Sequence, residues 1–295
     1  MDQIELVSYA KINLTLEVLG KRPDGYHDID SVVQIIDITD DLVMTRADEG
    51  VITVASDVAG VPSGRRNLVF RACEEFFKET GTRGGAACFL RKRIPVQAGM
   101  GGGSGNAAAT VVGLNRLYGC GLDVDKMAQI AASVGSDASL FVYGGTVRMR
   151  GRGDIIAPLP DAPELHLAVV KPGVGVSTAW AYSEMDRDVN RTGTHASDVM
   201  ERAIVAGDRV GVVDGLYNDF DPVVSAVVGE VARAKSMLWK LGAENVLLSG
   251  SGSAVFGVFA TQASAQQAVL GLCGEFSQVF LTRTVTRAES GMLRE

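Results

Sequence analysis

The residues best suited to chemistry are concentrated in one glycine-rich stretch, Ile94-Pro-Val-Gln-Ala-Gly-Met-Gly-Gly-Gly-Ser-Gly-Asn-Ala107. Its glycines, Gly99, Gly101, Gly102, Gly103 and Gly105, lie between the basic run Arg91-Lys92-Arg93 and a helix-like run from Ala107 to Tyr118. Glycine lacks Cβ and admits positive φ, so successive backbone N–H groups can converge on one point. The helix behind adds free N-terminal N–H groups and the positive end of its dipole. Together these predict a phosphate-binding loop. It is not a P-loop, because no lysine follows the glycines as G-x-x-x-x-G-K-[ST] requires. It also departs from the dinucleotide fingerprint: Gly99-Met-Gly101-Gly-Gly-Ser104 ends on serine, and Pro95 interrupts the approach. A flexible linker would not need the packed run Ala107-Ala-Ala-Thr-Val-Val-Gly-Leu114 behind it.

Phosphoryl transfer also needs a group near the attacking hydroxyl. Lys11 is one candidate. From Lys11 to Val18 the residues alternate, with Ile12, Leu14, Leu16 and Val18 on one face and Lys11, Asn13, Thr15 and Glu17 on the other. That pattern predicts a half-buried strand that would fix Lys11, with Asn13 beside it. Taken alone, such a lysine is usually an ordinary solvent-facing one. Asp137 is the second candidate. It follows Gly135-Ser136 at a helix start, where a lone carboxylate more often caps. Spacing does not bring Lys11 beside Asp137.

The elements that must position these groups are readable in outline. Gly20-Lys-Arg-Pro-Asp-Gly25 predicts a turn, directly followed by Tyr26-His27. Strands are expected over 29–38, 41–46, 51–55 and 86–91, with a helix over 67–78. Asp123 can cap a helix carrying Met127, Ile130, Ala131 and Val134. Past Gly151-Arg-Gly153 and Pro158, Pro160 and Pro163, the pattern reads strand (165–171), then helices (177–185, 197–206, 222–241). Strands (245–249, 253–259), a helix (262–272) and a strand (277–284) complete it. Asp221 is expected to cap the 222–241 helix, with Pro222 in its first position. Mixed order of this kind predicts an α+β protein of two domains, 1–158 and 159–295.

At 295 residues and 46% hydrophobic content, the chain can build two modest cores. A net charge of −7 argues against nucleic acid as the main partner. Cys73, Cys88, Cys120 and Cys273 show no C-x-x-C spacing, and His27, His166 and His195 form no metal pattern. Neither disulfides nor zinc are expected, which fits a cytoplasmic protein. Met1-Asp-Gln-Ile-Glu5 carries no signal pattern. The uncharged runs 94–115 and 245–274 are too rich in Gly, Ser, Gln and Ala for membrane spans. Oligomeric state is left open.

Three segments resemble the motifs of the GHMP kinase superfamily: Ser8–His27, the loop Pro95–Ala107, and Leu248-Ser-Gly-Ser-Gly-Ser-Ala-Val255. Within it, Ala10-Lys-Ile-Asn-Leu14 together with Arg22-Pro-Asp-Gly-Tyr-His27 is similar to the branch acting on cytidine diphosphate methylerythritol in the non-mevalonate isoprenoid route. The resemblance covers nearly the whole chain. It implies an N-terminal domain like ribosomal protein S5 domain 2 and a ferredoxin-like C-terminal domain. It implies ATP and Mg2+, with Asn67, Lys92, Pro95, Gly99, Gly101, Gly102, Gly103, Ser104, Gly105 and Asn106 around the nucleotide. Ser104 would meet phosphates or magnesium. Lys11 and Asp137 match the catalytic pair, Asp137 as base toward the C2 hydroxyl and Lys11 orienting it and stabilising charge. Asn13, Tyr26, His27, Tyr182, Gly250, Ser251 and Gly252 match substrate positions, Tyr26 and Tyr182 flanking the base. Three positions depart from the family. Ala138-Ser139 replaces an apolar residue and proline, Ser104-Gly105 stands where two serines are common, and Asp221 replaces glutamate.

Competing readings are a homoserine, mevalonate-type or sugar kinase, an NAD-binding oxidoreductase, and a non-catalytic nucleotide-binding protein. Tyr26-His27 speaks against the first, whose substrates carry no base. The second needs a strand immediately before Gly99 and an acid at the end of the next strand. The third would not need both Lys11 and Asp137.

Overall fold

The computed structural model describes residues 2–186 and 194–291. Strands β1 (Gln3–Asn13) and β2 (Thr15–Lys21) run end to end along one edge of the 21-residue β3 (His27–Ala47). Both pair antiparallel with it, Lys11 opposite Ile35 and Val18 opposite Ile29. The expected single strand from Lys11 to Val18 is therefore interrupted at Leu14, whose N–H bonds to the Val32 carbonyl. It is also not half-buried: Lys11, Asn13, Thr15 and Glu17 are as buried as the apolar residues between them. Alternation here separates two covered faces, one apolar and one polar, rather than core from water.

β4 (Ile52–Ser56), α1 (Leu68–Thr80) and β5 (Gly85–Arg91) follow, with β4 and β5 parallel and β5 antiparallel to the far end of β3. Asn67 caps α1 by accepting from Val69 N–H at 2.9 Å. Helix α2 (Gly102–Tyr118) begins earlier than expected, so Gly102, Gly103 and Gly105 lie in its first turns rather than in the loop. It is buried on nearly all sides, as a helix apolar all round must be. A Cβ on Gly105 would meet Ser8 Oγ at 2.8 Å, and one on Gly113 would meet Met44 Sδ at 2.7 Å. These two glycines let α2 approach the sheet closely. Asp123 caps α3 (Val124–Val134) as expected, accepting from Lys126 N–H. α4 (Ala138–Tyr143), β6 (Thr146–Gly151) and β7 (Ile155–Pro158) complete this part, β6 pairing with the edge of β3 opposite β2.

The second sheet is antiparallel. It orders β10 (Asn245–Leu248), β11 (Val255–Phe259), β8 (His166–Val170) and β12 (Val279–Arg283). Before β10 come α5 (Thr178–Met185), α6 (Ala196–Val205), α7 (Arg209–Asp214) and the two-residue β9 (Tyr217–Asn218). β9 pairs parallel with β2, so a piece of the second half joins the first sheet. The long helix expected over 222–241 is broken into α8 (Phe220–Val227) and α9 (Gly229–Lys240), with Val228 extended between them. Asp221 does not cap; it is buried, accepts from Leu248 N–H at 2.9 Å and pairs with Lys235. A straight helix would hold residues 14 apart about 21 Å from each other, so that ion pair requires the break. α10 (Gln262–Leu272) precedes β12, and α11 (Arg287–Ser290) closes the described chain. Among the described residues no helix is long and apolar enough to cross a membrane.

Candidate active site

Two turns meet at the end of β1. Lys11 N–H donates to the Met100 carbonyl at 3.0 Å, docking the glycine loop on the strand. Ser249 Oγ donates to the Gly99 carbonyl at 3.1 Å, and Ala254 N–H to the Ala98 carbonyl at 3.1 Å, docking the 249–252 turn on the same loop. Asn218 holds that turn from behind, its Nδ2 donating to the carbonyls of Leu248 and Gly250 at 2.8 Å each. Gly99 (φ 74°) and Gly101 (φ 70°) are left-handed, and a Cβ on Gly101 would meet Phe141 Cζ at 2.6 Å and Lys11 Cγ at 3.1 Å. Glycine is needed there for backbone angle and for space.

Two cavities share Gly99, Gly101 and Ser104 as a common wall. One, of about 360 Å³, is lined by Asn67, Lys92, Pro95, Gly102, Gly103 and Asn106, among others. Lys92 is paired with the buried carboxylate of Asp40, which also accepts from the N–H groups of Arg93 and Ile94. Asn67 is occupied as the α1 cap and by a 2.6 Å bond from its Nδ2 to the Pro62 carbonyl. Asn106 Oδ1 is buried without a partner.

The other cavity, of about 700 Å³, is lined by Lys11, Asn13, Tyr26, His27, Asp137, Tyr182, Gly250 and Ser251, with Lys21, Arg152 and Asp186. Lys11 Nζ donates to Asn13 Oδ1 at 2.6 Å, and Asn13 Nδ2 to Ser31 Oγ at 2.8 Å. Burial lowers the Lys11 pKa, and the nearby charge of Asp137 opposes that shift. Burial, with a lesser contribution from Asp137, pushes the Tyr182 phenol up to about 12. Lys11, Asp137 and Tyr182 thus share one electrostatic environment. Asp137 occupies the N-cap position of α4 but makes no capping bond; Ser136 Oγ donates to its Oδ1 at 3.3 Å. Its carboxylate is free of the structural duty that spacing alone favoured.

The aromatic residues are arranged differently from the expected pair flanking a base. His27 stacks on Tyr182, centroids 4.5 Å apart and planes at 17°, and Tyr182 meets Phe220 edge-on at 4.9 Å. Tyr26 is 59% exposed and carries the Arg152 guanidinium over its ring at 4.8 Å. Two further expected positions fall outside both cavities. Gly105 is the close-packing residue described above, and Gly252 would direct a Cβ at Leu248 Cδ1, 3.1 Å away. Nothing in the sequence signals Arg152 or Asp186. Gly151-Arg-Gly153 read as punctuation, and Asp186 carries no motif.

The sequence matches the GHMP kinases N terminal domain over 67–145 and the GHMP kinases C terminal domain over 200–278. It is 41% identical to a 4-diphosphocytidyl-2-C-methyl-D-erythritol kinase of Moorella thermoacetica, over 97% of this chain and 100% of that one. The chain belongs to that kinase family. A solved 4-(cytidine 5'-diphospho)-2C-methyl-D-erythritol kinase superposes with a TM-score of 0.79 at 28% identity, covering 95% of this chain and 99% of the other. A homoserine kinase from Cytophaga hutchinsonii superposes equally well, TM-score 0.80 over 97% and 95%, at 19% identity. Fold therefore places the chain among GHMP kinases but does not separate this kinase family from its neighbours; sequence identity over nearly the full length does. The expected two-domain GHMP architecture is observed.

Proposed function

We propose that the chain transfers the γ-phosphoryl group of ATP to the 2-hydroxyl of 4-diphosphocytidyl-2-C-methyl-D-erythritol, a step toward isoprenoid precursors. The observation that carries this is the pair of cavities sharing the glycine wall, the larger containing both Lys11–Asp137 and Tyr26–His27. Phosphates donated across such a wall reach an acceptor held on the other side, and that acceptor has a place for a base. Homoserine and mevalonate have no base for Tyr26 and His27 to recognise. We further propose the division of the chain at 158/159.

In this reading Asp137 takes the hydroxyl proton as the oxygen–phosphorus bond forms and the bond to ADP breaks. Lys11, desolvated and fixed by Asn13, orients that carboxylate and stabilises charge on the oxygen, where low dielectric strengthens its effect. Asn67, Lys92, Asn106 and the loop hold ATP, and the α2 N-terminus faces its phosphates. Magnesium would neutralise phosphate charge. Among the described residues no three His, Cys, Asp or Glu side chains cluster for a metal. An ion bound here would be held mainly by the substrate phosphates, and Ser104, on the wall shared by the two cavities, would be the side chain offered to it or to them.

The function is tested by ATP turnover against a panel of the cytidine substrate, homoserine, mevalonate and galactose. Turnover with the cytidine substrate alone supports the reading; preference for another acceptor overturns it. A second test concerns the wall. A Cβ on Gly102 would meet Ile94 Cγ2 at 2.8 Å and Lys92 Nζ at 3.3 Å, and Gly102 lines only the smaller cavity. Gly102→Val is expected to weaken ATP binding about ten- to a hundredfold, the equivalent of the usual overpacking cost, and to affect the cytidine ligand less. Calorimetric titration of each ligand decides it; equal weakening of both would mean that the fold, not the ATP wall, was damaged.

A further inference from the structure

Asp186 lies one helical turn beyond Tyr182, so both side chains reach the same histidine, Tyr182 at its face and Asp186 at its edge. His27 Nε2 is 2.6 Å from Asp186 Oδ1, and the other oxygen, Oδ2, accepts from Lys21 Nζ at 2.6 Å. The His27 side chain is only 8% exposed, so its ring has little freedom to reorient. Hydrogen bonds from Lys21, then from His27, hold the Asp186 carboxyl below the usual carboxylate range. At neutral pH it is a carboxylate and can only accept, so Nε2 must carry the proton. In the neutral ring Nδ1 is then left as the acceptor, and the hydrogen bond His27 makes among the described residues is at Nε2.

We infer that Asp186, braced by Lys21, is a positioning residue that fixes His27 as the Nε2–H tautomer, leaving Nδ1 to accept from the exocyclic amine of a cytosine. This rests on the proposed cytidine substrate. It also gives a specificity rule: a 4-oxo base such as uracil places an acceptor against Nδ1 and is rejected, because an unpaired buried polar contact is costly.

Asp186→Asn has a directed consequence. Lys21 can only donate, so it takes the amide oxygen, and the amide NH2 turns toward Nε2. Nε2 must then accept, and the proton moves to Nδ1. A wrong histidine tautomer produced by an Asp→Asn change in a hydrogen-bonded dyad is a known cause of lost function. KM for the cytidine substrate is expected to rise about ten- to a hundredfold, the equivalent of one hydrogen bond of wrong polarity, with KM for ATP unchanged. Adding Lys21→Ala to Asp186→Asn frees the amide to present its oxygen again and is expected to recover most of the loss. A merely structural role would give no such recovery.

The experiment pairs these constants with 15N NMR of the histidine ring in the free protein. Wild type is expected as Nε2–H, Asp186→Asn as Nδ1–H, and the double variant as Nε2–H. Wild-type protein in the Nδ1–H form overturns the inference without any variant. So does a tautomer change with no change in KM, an unchanged tautomer in Asp186→Asn, or a double variant no better than the single one. Absence of turnover on the cytidine substrate by wild type overturns the proposed function instead, while the NMR result stands separately.

Discussion

Replacing Asp137 with asparagine is expected to lower kcat by about 10²–10⁴, the usual contribution of a positioned general base. The fold should be unaffected. The Asp137 side chain makes no capping bond, and its only hydrogen-bond neighbour in the described structure is Ser136 Oγ at 3.3 Å. Asn keeps the shape and loses the ability to take a proton. It also removes the charge that opposes desolvation of Lys11, so the Lys11 pKa should fall further in the variant. Binding of ATP should persist, since Asp137 lines only the larger cavity. Steady-state kinetics, a thermal melt and ATP titration together check this. A kcat near wild type would remove Asp137 from the role of base and leave the buried Lys11 without its assigned partner.

His27→Ala is expected to raise KM for the cytidine substrate by one to several powers of ten while leaving ATP affinity nearly unchanged. An unpaired polar edge costs about 1–3 kcal/mol, and loosening the aromatic that would stack on the base puts part of a further ~1–3 kcal/mol at risk, at about 1.4 kcal/mol per tenfold. The structure adds a contribution from order. His27 covers one face of Tyr182, so the alanine variant also leaves that ring less constrained. Asn67, Lys92 and Asn106, which we propose hold ATP, line the smaller cavity and not the larger one. The check is a pair of Kd values, one per ligand, for wild type and variant. Loss of ATP affinity with an unchanged cytidine ligand would mean that the base is recognised elsewhere.

Local chemistry was legible in the sequence because it is set by neighbours along the chain. The glycines announced a tight left-handed turn running into a helix N-terminus, Pro23-Asp-Gly25 announced the turn that presents Tyr26 and His27, and Asp123 announced its own helix. The resemblance of three short segments supplied the kinase family and the two-domain architecture. Period-two alternation found the strand bearing Lys11 but misjudged its polar face. A polar residue in a sequence does not say whether it meets water or a buried cavity. Likewise Asp221 read as a cap, whereas it pairs with Lys235 across the break at Val228 and accepts from Leu248 N–H.

What tertiary structure alone decided is which distant groups stand together. The electrostatic meeting of Lys11 with Asp137, the docking of Gly99 on Ser249, and the edge of His27 on Asp186 each join residues more than a hundred positions apart. No periodicity or capping rule reaches across such distances, because they are set by how two sheets and their helices pack. The sequence by itself determined the kinds of group available, the loop that could hold phosphate and the turn that could hold a base. Packing determined that loop and turn open onto cavities with one shared wall, and that a carboxylate without any motif lies against the histidine.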